Sequence, residues 1–197
     1  NKINVLTIDL RNYGNSSRVN KYENLGLSEY KDVLGAFDFL NKNGFKKYQI
    51  GLHGISLGGS SVIFAAKNEP SIKAIWLDSS LAEFNMILRD EIARYRLPNI
   101  FGPPVSFAGK ILTGIDPTKL SPALSLSLNQ NYFFVHGDSD LRVLTHHFNY
   151  FKKFAKENKI NAEFWLAKKS YHVDAMFKYP DEYGIKMKNF FNENLKE

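Results

Sequence analysis

The 197-residue sequence predicts an α/β fold, a mostly parallel sheet with helices on both faces. Three observations carry that prediction. Short apolar runs alternate with amphipathic helical stretches along nearly the whole chain. Most runs end in polar, acidic or glycine residues that hand over to a helix or loop. At one such handover a serine stands between glycines. With 44% apolar residues the chain has enough material for one good core, so a single domain spanning 1–197 is expected.

Residues 5–8 are an apolar run ending at Asp9 and read as a strand, followed by an Asn-, Gly- and Ser-rich loop over 12–24. Ser28 is placed to cap a helix with Glu29 and Asp32 in its first turn. Val33, Phe37 and Leu40 share one face of it, and Asn43-Gly44 supplies the stop. A strand over 48–52, a tight turn, and a helix over 60–67 halted before Pro70 come next, then a strand over 72–77 that ends at Asp78-Ser79-Ser80. Residues 81–130 interrupt the alternation. Helix-like pieces over 81–96, a break at Gly102-Pro103-Pro104 and a Ser/Leu alternation near 124–128 read as a small helical insertion before the acid-bearing strand. That strand covers 132–136, and Leu144, Phe148, Phe151 and Ala155 mark the face of the helix behind it. The last strand covers 162–166, and Tyr183, Met187, Phe190 and Phe191 line the last helix.

The stretch "IGLHGISLGGSSVIFAA" concentrates the chemistry. A strand reversing sharply into a helix strains the residue at its apex and needs small neighbours, here Gly54 and Gly58. The reversal lifts the Ser56 oxygen clear of the sheet and leaves the Leu57 N–H at the helix start as an oxyanion-hole donor. A serine hydroxyl is a poor nucleophile at neutral pH, so the reading requires a histidine base and a carboxylate to orient it. "FFVHGDSDLRV" puts Asp138 and Asp140 at the mouth of a strand, and either suffices. "LAKKSYHVDAM" puts His172 in the loop after the last strand. Asp78, at the end of the strand after the nucleophile, is a competing acid.

Taken together, "DLRNYGNSS", "GISLGGS", "WLDSS", "VHGDSDLRV" and "KSYH" resemble successive signposts of the α/β-hydrolase superfamily, over nearly the whole chain. More narrowly the sequence is similar to the serine-hydrolase branch that holds small esterases, dienelactone-hydrolase-like acyl hydrolases and the catalytic domains of prolyl-oligopeptidase-like peptidases. The resemblance implies cleavage of a carboxylic ester or related acyl bond through an acyl-enzyme, with a triad of Ser56, His172 and Asp140. It implies Asp140 rather than Asp138 as the acid, a structural role for Asp78, structural hydrogen bonds for His136, and a loop-pinning role for Asp9 and Arg11. A prolyl-oligopeptidase-type peptidase and a non-catalytic ligand-binding protein are the alternatives. In this family a strand carrying the second oxyanion donor lies between the 5–8 strand and the nucleophile strand, so N-terminal strands are expected to be missing from this chain.

Other classes fit less well. The formal charge of +6 is carried by scattered lysine pairs rather than a stripe, which argues against a nucleic-acid partner. No cysteine is available for a disulfide or a thiolate metal site. His53 is expected to pack beside the turn and His146 and His147 to lie at the surface; with no third ligand at metal spacing, neither a metal nor a cofactor is expected. No apolar run is long enough to span a membrane and no leader pattern opens the sequence, so the cytoplasm is the default compartment, with an upstream anchor and the oligomeric state left open. Phe84, Met86, Ile87, Leu88, Ile92, Ile100 and Phe101 give the 81–130 insertion either a lid over an acyl pocket or a packing face.

Overall fold

A computed structural model describes residues 3–19, 21–114 and 116–195. Four parallel strands, β1 (Leu52–Ile55), β2 (Ala74–Asp78), β3 (Asn131–Gly137) and β4 (Asn161–Ala167), lie in the order β1-β2-β3-β4. Parallel neighbours need crossovers, and helices supply them. Preceding β1 is α1 (Tyr30–Lys42); α2 (Leu57–Asn68) joins β1 to β2; α3 (Phe84–Arg94) and α4 (Gly102–Thr113) lie between β2 and β3; α5 (Thr145–Glu157) joins β3 to β4; α6 (Ala175–Lys178) and α7 (Pro180–Asn194) close the chain.

Side chains alternate across the strands and sort into two cores. Ile75, Leu77, Tyr132 and Phe134 meet Val33 and Phe37 of α1, Ile63 of α2 and Phe151 of α5. Ala74, Trp76, Phe133 and Val135 point the other way, against Tyr183, Phe190 and Phe191 of α7. There Trp76 stacks on Phe133 with ring centroids 4.0 Å apart. The sheet is therefore covered on both faces, as its apolar runs predict.

Several boundaries differ from the sequence reading. Residues 5–8 form no strand, and Val5 is 79% exposed. A strand exists only where a ladder partner lies alongside, and among the described residues none lies beside this segment. The first paired strand begins at Leu52, opposite Ile75, with a short 3-10 turn over Lys47–Gln49 where strand was expected. His53 and Gly54 are weak strand formers, which hid the true position. Ser28 does not cap α1. Its cap residue is Glu29, fully buried, whose carboxylate accepts N–H bonds from Asn24, Gly26 and Ser28 and so closes the preceding turn. Gly102-Pro103-Pro104 opens α4 instead of breaking the chain, because prolines in a first helical turn forgo N–H groups that would lack partners anyway.

Within the 81–130 insertion, Phe84, Met86 and Ile87 pack on the core and Ile92 is buried, while Ile100 and Phe101 face outward. Ahead of α1, the 9–19 loop is pinned as expected. Asp9 accepts from the Asn15 N–H, and the Arg11 guanidinium forms a two-pronged pair with Asp32 at 2.7–3.2 Å. No helix among the described residues is long and apolar enough to cross a membrane.

Candidate active site

β1 runs directly into α2, and Ser56 stands at the junction with φ 51° and ψ −116°. A non-glycine residue at such angles is strained and persists only when its surroundings over-determine it. Here the Ser56 N–H donates to the Asp78 carbonyl at 2.8 Å, and the Gly59 N–H to the Ser56 carbonyl at 2.9 Å. Leu57 is the first residue of α2, so its N–H has no acceptor within the helix. The two flanking glycines differ. A Cβ on Gly54 would lie 2.5 Å from the Gly58 carbonyl oxygen, so Gly54 is required for the close approach. A Cβ on Gly58 would meet nothing within 4 Å, so its smallness is not demanded by packing, contrary to the sequence reading.

Three side chains predicted from widely separated motifs come together at this turn. His172 Nε2 lies 3.0 Å from Ser56 Oγ, and His172 Nδ1 lies 2.8 Å from Asp140 Oδ2. The other Asp140 oxygen accepts the N–H groups of Arg142 and Val143 at 2.8 and 2.9 Å. Burial alone would raise the Asp140 pKa. The bonds from His172, Val143 and Arg142 outweigh that and hold the carboxyl below the usual carboxylate range, so it stays ionised where it meets the imidazole. Asp138 is turned elsewhere, accepting from the Ser139 hydroxyl and facing Lys168. His136 is buried and donates from Nε2 to the Val143 carbonyl at 2.8 Å, stiffening the loop that carries Asp140. Gly137 lets the histidine loop cross close behind that carboxylate, since a Cβ there would lie 2.2 Å from the Ser170 carbonyl oxygen.

The sequence reading missed the support beneath His172. Ser79, with φ 51°, donates its hydroxyl to Asp78 Oδ1 at 2.9 Å and accepts the Val173 N–H at 3.0 Å. Asp78 Oδ2 accepts from Tyr183, whose oxygen takes the Trp76 indole N–H. Asp78 is thus not the acid facing His172. Burial raises its pKa against the two hydroxyl bonds, and it fastens the residue next to the histidine to the end of β2. The signal was the "DSS" at a strand end, but only the three-dimensional path of the 168–174 loop reveals what it holds.

Two histidine expectations need correction. His53 is exposed on β1, with Tyr183 Oη 3.3 Å from its Nε2. His147 is fully buried rather than at the surface, and a third partner exists: Asp90 Oδ2 lies 2.8 Å from His146 Nε2 and 3.1 Å from His147 Nε2. These three groups are close enough to suggest a cation site. The hydrogen bonding disfavours it, because His147 Nδ1 accepts the Ala82 N–H at 3.0 Å and its proton must therefore sit on Nε2, the atom a metal would need. The cluster instead ties α3 to α5. An open concavity of about 680 Å3 lies between the 8–19 segment and α1, lined by Asp9, Arg11 and Asp32, and does not include Ser56.

A parallel sheet covered on both faces, with a serine at a strained strand-to-helix turn and a histidine in hydrogen-bond contact behind it, defines the α/β-hydrolase class of serine hydrolase. Comparison with known proteins narrows the class. The profile of the prolyl oligopeptidase family matches residues 4–197. An esterase from Pyrococcus furiosus superposes with a TM-score of 0.70 at 20% identity, covering 95% of this chain and 70% of that one. An acylaminoacyl peptidase from Pyrococcus horikoshii gives 0.66 at 21% identity, over 88% of this chain and 29% of that one. A puromycin-hydrolysing peptidase from Mycobacterium tuberculosis gives 0.68 at 15%, over 87% and 26%. No curated protein sequence matches significantly. The chain belongs to the prolyl oligopeptidase family and is a serine hydrolase.

Proposed function

We propose that the protein cleaves carboxylic esters through an acyl-enzyme on Ser56. His172 Nε2 takes the Ser56 proton as Oγ bonds to the substrate carbonyl carbon, and Asp140 steadies the imidazolium that forms. The Leu57 N–H, unclaimed by its helix, stabilises the oxyanion. Collapse breaks the bond to the leaving alcohol, which receives the proton from His172. Water then repeats the sequence, His172 taking its proton, and releases the acid. The observation that supports this reading is the unbroken Ser56–His172–Asp140 contact at 3.0 and 2.8 Å. A peptide amide is the second reading, favoured by the family itself.

The test is a panel of p-nitrophenyl esters set against aminoacyl-naphthylamides, with wild-type full-length protein and Ser56→Ala. Ester turnover falling by about a thousandfold or more in the variant is expected. Turnover of the amides alone would assign a peptidase. Failure of a fluorophosphonate probe to label Ser56 would leave a ligand-binding protein.

A further inference from the structure

The 84–119 segment carries a surface that the chemistry above does not use. In α4, the half-buried positions are Gly102, Ser106, Gly109 and Thr113, spaced so that they share one face. That face looks inward: a Cβ on Gly102 would lie 3.8 Å from Ile92, and one on Gly109 would lie 3.7 Å from Pro117. The opposite face carries Phe107 and Ile111, each 66% exposed, with Val105 and Leu112 beside them. Amphipathic helices on a folded protein point their apolar side inward; this one points it out. Ile100, 77% exposed, extends the same surface toward α3. Exposed apolar side chains grouped on one helix face are the kind of surface that docks a partner or a membrane.

Charge decides between occupants. Residues 84–119 contain three carboxylates, Asp90, Glu91 and Asp116, and each is already engaged, by His146 and His147, by Arg94 and by Lys110 respectively. Arg89, Arg96 and Lys119 are exposed and have no carboxylate within ion-pair distance among the described residues. A second copy docked on the same segment would bring like charges and no free acid. A bilayer with anionic headgroups offers both an apolar interior for Phe107 and Ile111 and partners for the unpaired cations. The surface is also fastened to the active-site rim. The Arg94 guanidinium donates to the carbonyls of Leu141 and Arg142, the two residues after Asp140.

We propose that the outer face of α4, carried on a segment with unpaired cations and no free carboxylate, docks on anionic lipid membranes. This does not depend on the ester-hydrolase reading, and the test keeps them apart. Full-length protein is sedimented with vesicles of phosphatidylcholine alone and of phosphatidylcholine mixed with phosphatidylglycerol. Strong partitioning onto the mixed vesicles and weak partitioning onto the neutral ones are expected, with the difference shrinking in high salt. Phe107→Ser/Ile111→Ser should cut partitioning by about tenfold or more, and Arg96→Glu/Lys119→Glu should remove the preference for anionic lipid. All four residues are exposed, and unchanged melting temperatures verify that the folds are kept. Ser56→Ala should sediment like wild type. Wild-type protein left in the supernatant with both vesicle types overturns the proposal. So does equal binding by Phe107→Ser/Ile111→Ser, or a dimer that this variant dissociates while vesicles are ignored.

Discussion

Replacing Ser79 by alanine removes one oxygen that touches no substrate yet holds the histidine loop. In the folded protein this oxygen accepts the Val173 N–H at 3.0 Å and donates to Asp78 at 2.9 Å. Without it the half-buried Val173 N–H loses its acceptor, a cost of up to about 1–3 kcal/mol, the upper end being that of a fully buried donor. The loop escapes that cost by shifting Val173 toward another partner, and His172, one residue away, moves with it and lengthens its 3.0 Å contact to Ser56. At about 1.4 kcal/mol per decade, the expected fall in kcat is about tenfold to a hundredfold, with KM nearly unchanged. Glycine at the same place separates hydroxyl from strain. Ser79 has φ 51°, where alanine is as strained as serine and glycine is not, so Ser79→Gly should be more stable than Ser79→Ala by about 1 kcal/mol yet equally slow. Steady-state kinetics on a turned-over ester and thermal melts of the three proteins read both quantities. A kcat within twofold of wild type in both variants would refute a positioning role for Ser79.

The two elbow glycines should behave oppositely. Gly54→Ala forces a Cβ to within 2.5 Å of the Gly58 carbonyl oxygen and should abolish soluble folded protein or lower the melting temperature sharply, whereas Gly58→Ala meets open space and should leave stability unchanged or raise it by up to about 1 kcal/mol, as in a helix, read as an equal or higher melting temperature. Burial pushes the His147 pKa down to about 4 from an ordinary value near 6.5, so the unfolded chain takes up its proton first. Stability linked to His147 is therefore full above about pH 6.5 and lost as pH falls toward 4, and His147→Gln should flatten that part of a melting-temperature profile. Zinc should leave the melting temperature unchanged, because the Nε2 proton of His147 occupies the lone-pair position a cation requires; a zinc-dependent rise abolished by His147→Gln would overturn the tautomer.

Much of the architecture is legible in local pattern, because each crossover helix and each buried strand has its own periodicity. Val33 and Phe37 on one turn spacing, and the apolar run over 132–136, need no knowledge of their neighbours to be read. The placement of Ser56, of the Asp138/Asp140 pair and of His172 is legible for the same reason, as each sits at the carboxyl end of an apolar run and parallel strands bring such ends to one rim, while the preference for Asp140 over Asp138 rests on the family resemblance alone. Strand status, by contrast, is a property of pairs. Residues 5–8 have the composition of a strand and no ladder, and β1 begins where its partner does.

Side-chain type and near-neighbour spacing are enough to read the sheet-and-helix alternation, the glycine-flanked serine and the short set of residues able to serve it, His172 with Asp138 or Asp140. Contacts across the fold are needed to see that Asp78 and Ser79 hold the histidine loop, that His147 lies buried against Asp90 and Ala82, and that α4 turns its apolar side to solvent. Each of these rests on contacts, or their absence, between segments remote in the chain, and a helix carries no local mark of which face its neighbours will cover.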